Sequence, residues 1–272
     1  MQNPFDFSGK TVYIAGGTSG INLGIAHGFA KAGAKLAVVS RSQDKVDSAV
    51  AELKKRGGEA VGYAADVRDY AAVEATLKQT QAKFGDIDVL VSGAAGNFPA
   101  PALGISPNGF KSVVDIDLLG TFHVLRASYP YLKKPGASII NISAPQAFNA
   151  MEFQMHVCAA KAGVDMVTRV AAIEWGPAGV RVNSVTPGPI SETEGMARLA
   201  PTPETTQLIV DSVPMQRFGT KQDIADCCLW LASPMASYVT GAVIPVDGGW
   251  SLGGTAVSSA GTKKLLGTPS KK

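Results

Sequence analysis

With 272 residues, 46% of them hydrophobic and 17% charged, the chain has the apolar content of one globular domain built on a continuous sheet and its covering helices. A net charge of +3 from scattered rather than blocked basic residues excludes any specific case for nucleic-acid binding, and suits a polyanionic small molecule as well as ordinary surface charge. No apolar run approaches the roughly 20 residues of a membrane span, MQNPFDFSGK has neither the basic nor the apolar part of a signal peptide, and Cys158, Cys227 and Cys228 lack metal-type spacing, so reduced thiols in a cytosolic compartment and no metal site are expected.

In chain order, apolar β-rich runs recur: TVYIAG (11 to 16), KLAVVS (35 to 40), AVGYAAD (60 to 66), DVLVSGAA (88 to 95), SIINIS (138 to 143), VRVNSVTPG (180 to 188) and AVIPVDGG (242 to 249). Between the first four lie segments with apolar residues three and four apart that finish at Gly33, Gly57 and Gly85, read as helix C-caps. Near-continuous apolar strands alternating with helices predict a doubly wound, Rossmann-like α/β fold with a parallel sheet buried on both faces, in a single domain. Prolines and polar residues interrupt the alternation at 189 to 217, which reads as an active-site lid. The segment after Trp250 is rich in Gly, Ser and Lys and reads as a flexible tail, leaving a core at 9 to 250.

The first strand runs into GGTSGINLG and then a helix, so backbone amides around Gly16, Thr18, Ser19, Gly20 and Ile21 form an anion cradle at a helix N-terminus. Nicotinamide sites that prefer the unphosphorylated ribose carry an acid at the end of the second strand. This chain has Ser40-Arg41 there, and an arginine suits a 2′-phosphate, which favours NADPH.

GGTSGI (16 to 21), Asp66-Val67, SGAAG (92 to 96), Ser143, Lys161 and PGPI (187 to 190) together resemble the short-chain dehydrogenase/reductase family over residues 9 to 250. The resemblance implies that Asp66 and Val67 contact adenine, that Ala94 belongs to the cofactor site, that Lys161 holds the nicotinamide ribose, and that Pro187, Gly188 and Ile190 lie against the nicotinamide. It also implies a homotetramer pairing the helices near 110 to 130 and 155 to 175 and the last strand. Two departures stand out. Asn22 replaces the last glycine of the family loop, bearing on how closely the first helix packs, and Val157 occupies the place of the tyrosine in Tyr-x-x-x-Lys, four residues before Lys161.

That tyrosine protonates the alkoxide formed when a ketone accepts hydride, and losing a positioned acid forfeits roughly 10²- to 10⁴-fold. A conjugated thioester asks for less: hydride at the far end of a dienoyl group sends charge onto the thioester oxygen, where each aimed hydrogen-bond donor supplies roughly 3 to 4 kcal/mol. AAGNFPAPA (94 to 102), DIDLLGTF (115 to 122), HVCAAKAGVDMVTR (156 to 169), EWGPAGVRVNS (174 to 184) and PGPISETEGMARL (187 to 199) resemble the 2,4-dienoyl-CoA reductase branch of the family, its peroxisomal members above all. The displaced tyrosine of mitochondrial members is absent, about Gln146 standing there. The resemblance implies that Asp117 and Lys161 deliver a proton through water, with the pair as the catalytic groups and Ser143 assisting at the thioester. Asn97, Phe98 and His156 are expected in the acyl-CoA site. The chain ends Ser-Lys-Lys and not Ser-Lys-Leu, so the cytoplasm is the expected compartment.

Overall fold

The computed structural model describes residues 3–255. Seven parallel strands form one sheet: β1 (Thr11–Ala15), β2 (Lys35–Ser40), β3 (Glu59–Ala64), β4 (Val89–Ser92), β5 (Ser138–Ile142), β6 (Arg181–Pro187) and β7 (Val243–Val246), in the order β3-β2-β1-β4-β5-β6-β7. The chain builds outward from β1 to β3, then returns to lay β4 on the other side of β1. That reversal opens a crevice above the carboxyl ends of β1 and β4, where open α/β sheets bind their ligands.

Strand alternation divides the core. Val12 and Ile14 of β1 face one layer with α1 (Gly20–Lys31), α2 (Gln43–Lys55) and α9 (Lys221–Ala232), whereas Tyr13 and Ala15 face the other with α3 (Tyr70–Phe84), α5 (Gly120–Ser128) and α6 (Met155–Trp175). All five β1 residues are essentially inaccessible, and each large apolar side chain buried this way contributes about 1.5 to 3 kcal/mol. Local chemistry sets the helix ends: Ser42 and Asp69 cap α2 and α3 by accepting from Lys45 N and Ala72 N, and Gly33, Gly57 and Gly85 follow with positive φ.

The 189–217 stretch carries α7 (Glu194–Leu199) and α8 (Pro203–Ser212). Pro203 falls in the first turn of α8 behind a Thr202 capping box, a place where its missing N–H costs no hydrogen bond. Residues 250–255 form a short 3-10 turn, and the rest of the tail read as flexible lies outside the described residues. Helix α4 (Pro107–Val114) runs without a break through a wider π-turn at Asp115–Leu119 into α5. Single widened turns of this kind are frequent at functional sites.

Candidate active site

The turn after β1 is shaped by close approach. Gly16 has φ +77°, and a Cβ there would stand 2.8 Å from Ala94 N; a Cβ on Gly17 would stand 2.9 Å from Ile14 O. These residues open a cleft of about 490 Å³ that extends from Gly16, Thr18 and Ser19 past Ser40 and Arg41 to Asp66, Val67 and Ala94. Eight sequence-predicted cofactor residues therefore meet in one cavity. Gly20 and Ile21 begin α1 beside it. Lys45 and Arg68, not singled out along the sequence, join Arg41 at the far end, giving three cations there. Arg68 also binds Asp66, with Nη2 2.6 Å from Oδ2, and these hydrogen bonds hold the Asp66 carboxyl below the usual carboxylate range. Such a cradle, with backbone amides at one end and guanidinium groups at the other, fits a nicotinamide dinucleotide.

Asn22, in place of the loop's last glycine, does not hold α1 away. Its Nδ2 donates to Gly93 O at 2.7 Å, clamping the β1 turn to the end of β4. Gly93 makes this possible, since a Cβ on it would fall 2.3 Å from Asn22 Oδ1. One glycine is exchanged for another across the crevice.

At the other end of the crevice the π-turn carries Asp117 inward. It is 1% exposed, its Oδ1 accepting from Gly96 N at 2.7 Å and its Oδ2 lying 3.3 Å from Lys161 Nζ. Lys161 is also buried, at 5% exposed, and donates to Ile142 O at 3.0 Å. The close crossing of the π-turn over α6 depends on Gly163, where a Cβ would lie 2.8 Å from Leu118. Buried charges persist only when paired and hydrogen-bonded, and this pair is both. Val157, a helical turn before Lys161, is packed with Val113 and Ala160 and offers no hydroxyl.

The remaining predicted residues are placed unevenly. Asn97 and Phe98 follow β4 at the mouth of the site, Asn97 Nδ2 donating to Gln154 Oε1 at 3.3 Å. His156 is 0% exposed, stacked edgewise on Phe98 at 4.5 Å, with no partner for either ring nitrogen, so it faces the ring rather than the opening. Ser143, directly after β5, is 4% exposed and has no hydrogen-bond partner at Oγ. It faces Asp165, whose carboxyl is pushed up chiefly by burial, against the interactions of the Ser143 and Ser184 hydroxyls. Pro187 and Gly188 close β6 against β7, while Ile190 packs into the core. Asp165 and Gln154 were not anticipated. The first has a signal, four residues after Lys161 on the same helix face; the second has none in spacing.

A family model described as Enoyl-(Acyl carrier protein) reductase matches residues 15–251. The chain belongs to the short-chain dehydrogenase/reductase family. Among similar proteins, the peroxisomal 2,4-dienoyl-CoA reductase [(3E)-enoyl-CoA-producing] of Rattus norvegicus is 46% identical over 242 residues, 88% of this chain and 83% of that one. The Arabidopsis thaliana protein of the same name is 42% identical over 262 residues, 92% of this chain and 88% of that one. Solved members of the family share the fold: a short chain dehydrogenase from Bacillus anthracis, 37% identical, superposes with a TM-score of 0.83 over 91% of this chain and 98% of that one. A citronellol catabolism dehydrogenase of Pseudomonas aeruginosa, 36% identical, gives 0.80 over 92% and 98%.

Proposed function

We propose that this protein reduces a 2,4-dienoyl-CoA thioester to a 3-enoyl-CoA with NADPH as hydride donor. The observation that carries the reading is the buried Asp117–Lys161 pair beside Val157: the charges of a catalytic centre are kept where the phenol needed for ketone reduction is missing. The names of the relatives point to the same reaction.

When bound, the reduced nicotinamide supplies hydride. Gly16, Thr18 and Ser19 would hold its phosphates, and Arg41 with Lys45 and Arg68 would neutralise the 2′-phosphate. Lys161 would hold the nicotinamide ribose, and Pro187 and Gly188 would line its other side, whereas the Ile190 side chain stays in the core. Hydride adding to the far carbon of the diene pushes an electron pair onto the thioester oxygen, and the resulting dienolate takes its proton on carbon. Asp117 and Lys161 orient the water that gives that proton. Asp117 is fixed for this by Gly96 N and Lys161 by Ile142 O. Ser143 assists at the substrate carbonyl end of β5. Exposed Phe98, Phe148, Phe153 and Met155 offer apolar surface to the acyl chain, and α7 and α8 serve as the lid.

Phe122, Met166, Val170 and Ile173 leave an apolar face open on α5 and α6, which supports a homotetramer built through those helices. Among the described residues no helix is long and apolar enough to cross a membrane. All three thiols are free, which suits the reducing cytoplasm; cell fractionation tests that compartment against the peroxisome named for the relatives.

The deciding experiment follows oxidation of NADPH by 2,4-hexadienoyl-CoA in the wild type, Asp117→Ala and Lys161→Ala. Turnover by the wild type that collapses in both variants is the expected result. Tight NADPH binding without turnover of any enoyl thioester would sink the proposal.

A further inference from the structure

Gln154 immediately precedes α6 and is 4% exposed. Its Oε1 accepts twice, from Gln146 Nε2 at 3.0 Å and from Asn97 Nδ2 at 3.3 Å. The loops after β4 and β5 and the start of α6 therefore converge on one amide. Both donors take the same oxygen, so the two N–H groups on Gln154 Nε2 have no partner among the described residues, and this nitrogen is not among the enclosed orphan atoms. Gln146 Oε1 is: it is a buried acceptor with nothing donating to it. Reversing the amides would leave the Gln146 N–H groups enclosed and unpaired instead, and orphaned donors are rarer than under-used acceptors.

We infer that Gln154 is a catalytic residue whose amide N–H groups hold the thioester oxygen while the dienolate charge develops on it. This rests on the reductase reading and assigns the oxygen's partner within it. An amide whose oxygen is locked by two donors has its nitrogen direction fixed before substrate arrives, which is what makes a donor effective at a developing oxyanion. It also explains the substrate class. An amide N–H stabilises charge on oxygen but cannot surrender a proton to it, so an alkoxide from a ketone would be left unprotonated. A dienolate needs no proton on oxygen: hydride forms the new C–H bond at the far carbon, the pair passes to the oxygen held by Gln154, and on its return the α-carbon takes a proton from the water held by Asp117 and Lys161, the Lys161 ammonium giving a proton to the hydroxide left and regaining one from solvent. Gln154 tends the oxygen and the ion pair tends the carbon.

Gln154→Glu separates this role from a structural one. Either carboxylate oxygen can still accept from Gln146 and Asn97, so the tie between loops is kept while both donors are lost. In the complex of the full-length protein with NADP⁺ and carbonyl-labelled 2,4-hexadienoyl-CoA, the wild type should lower the thioester C=O stretch relative to free ligand. In mildly alkaline buffer Gln154→Glu should return the band to its free position and lower kcat roughly 100-fold, with NADPH affinity unchanged. Both should recover in acid, as the carboxyl regains an O–H donor. A wild-type band at the free-ligand position overturns the inference without any variant. Equal bands and equal kcat in Gln154→Glu overturn it while leaving the reductase reading intact, and a wild type that binds NADPH but no dienoyl-CoA overturns both.

Discussion

Gly93→Ala tests whether the nucleotide crevice is held shut by the contact between Asn22 and the end of β4. Gly93 is not among the positive-φ glycines, so its backbone accepts alanine and any penalty arises from packing. The new methyl would meet Asn22 Oδ1 at 2.3 Å and Nδ2 at 2.6 Å, distances that Cβ atoms do not tolerate. Asn22 is itself 8% exposed and tied to Gly93 O at 2.7 Å, so it can yield only by giving up that bond. Overpacking of about 1 to 3 kcal/mol plus a lost hydrogen bond of about 1 kcal/mol predicts a loss of about 2 to 4 kcal/mol. Urea denaturation reads the loss, and NADPH titration reads the distorted cradle. Asn22→Gly should itself destabilise, by the lost bond and a helical glycine, yet Gly93→Ala in the Asn22→Gly background should be nearly harmless. The double-mutant cycle then shows coupling of at least about 1 kcal/mol. Additive effects, or a Gly93→Ala protein within about 0.5 kcal/mol of the wild type, would refute the compensation argument.

Asp117→Asn keeps an acceptor for Gly96 N but strips Lys161 of its counter-charge; a loss of about 3 to 5 kcal/mol by denaturation is expected, with turnover down roughly 10²- to 10⁴-fold. Arg41→Glu should raise the Michaelis constant for NADPH more than tenfold and leave that for NADH little changed, because only the 2′-phosphate is repelled; parallel loss with both cofactors would argue against that placement. Asp165 is raised, chiefly by burial, so the folded state binds its proton more tightly than the unfolded chain does. Its contribution is most favourable below the ordinary carboxylate value and is lost as pH rises through the raised one. Asp165→Asn should accordingly raise the melting temperature at neutral pH and give no gain in acid, with a uniform shift across pH counting against the reasoning. Val157→Tyr, overfilling the space shared with Val113 and Ala160, should destabilise by about 1 to 3 kcal/mol and confer no ketone reduction.

How much of this could be read along the chain depends on how far apart the interacting groups lie. The strands and the glycine cradle are local patterns, and each strand starts within one residue of its predicted run and ends within three. Helix α8 was hidden because Pro203 and Thr202 look like breakers until their register as a capped first turn is known. Asn22 read alone as a defect, since its counterpart Gly93 is 71 residues away. Asp165 was within reach, being a helical turn from Lys161, but a carboxylate on a helix is ordinarily a solvated one, and only β5 and β6 packing over it make it otherwise.

The site follows the same division. Absence of the hydroxyl at Val157 is a one-residue fact, visible at once because Lys161 gives the count. What we propose in its place is distributed: Asp117 reaches Lys161 through a π-turn that no periodicity announces, and Gln154 acquires its orientation from side chains of two other loops. Losing a proton donor removes one local group, whereas holding a dienolate requires several weak groups aimed from separate segments. Sequence therefore states the chemistry this fold has given up more plainly than the chemistry it supports, and Gln154, silent in spacing and enclosed in the structure, is where the two descriptions part.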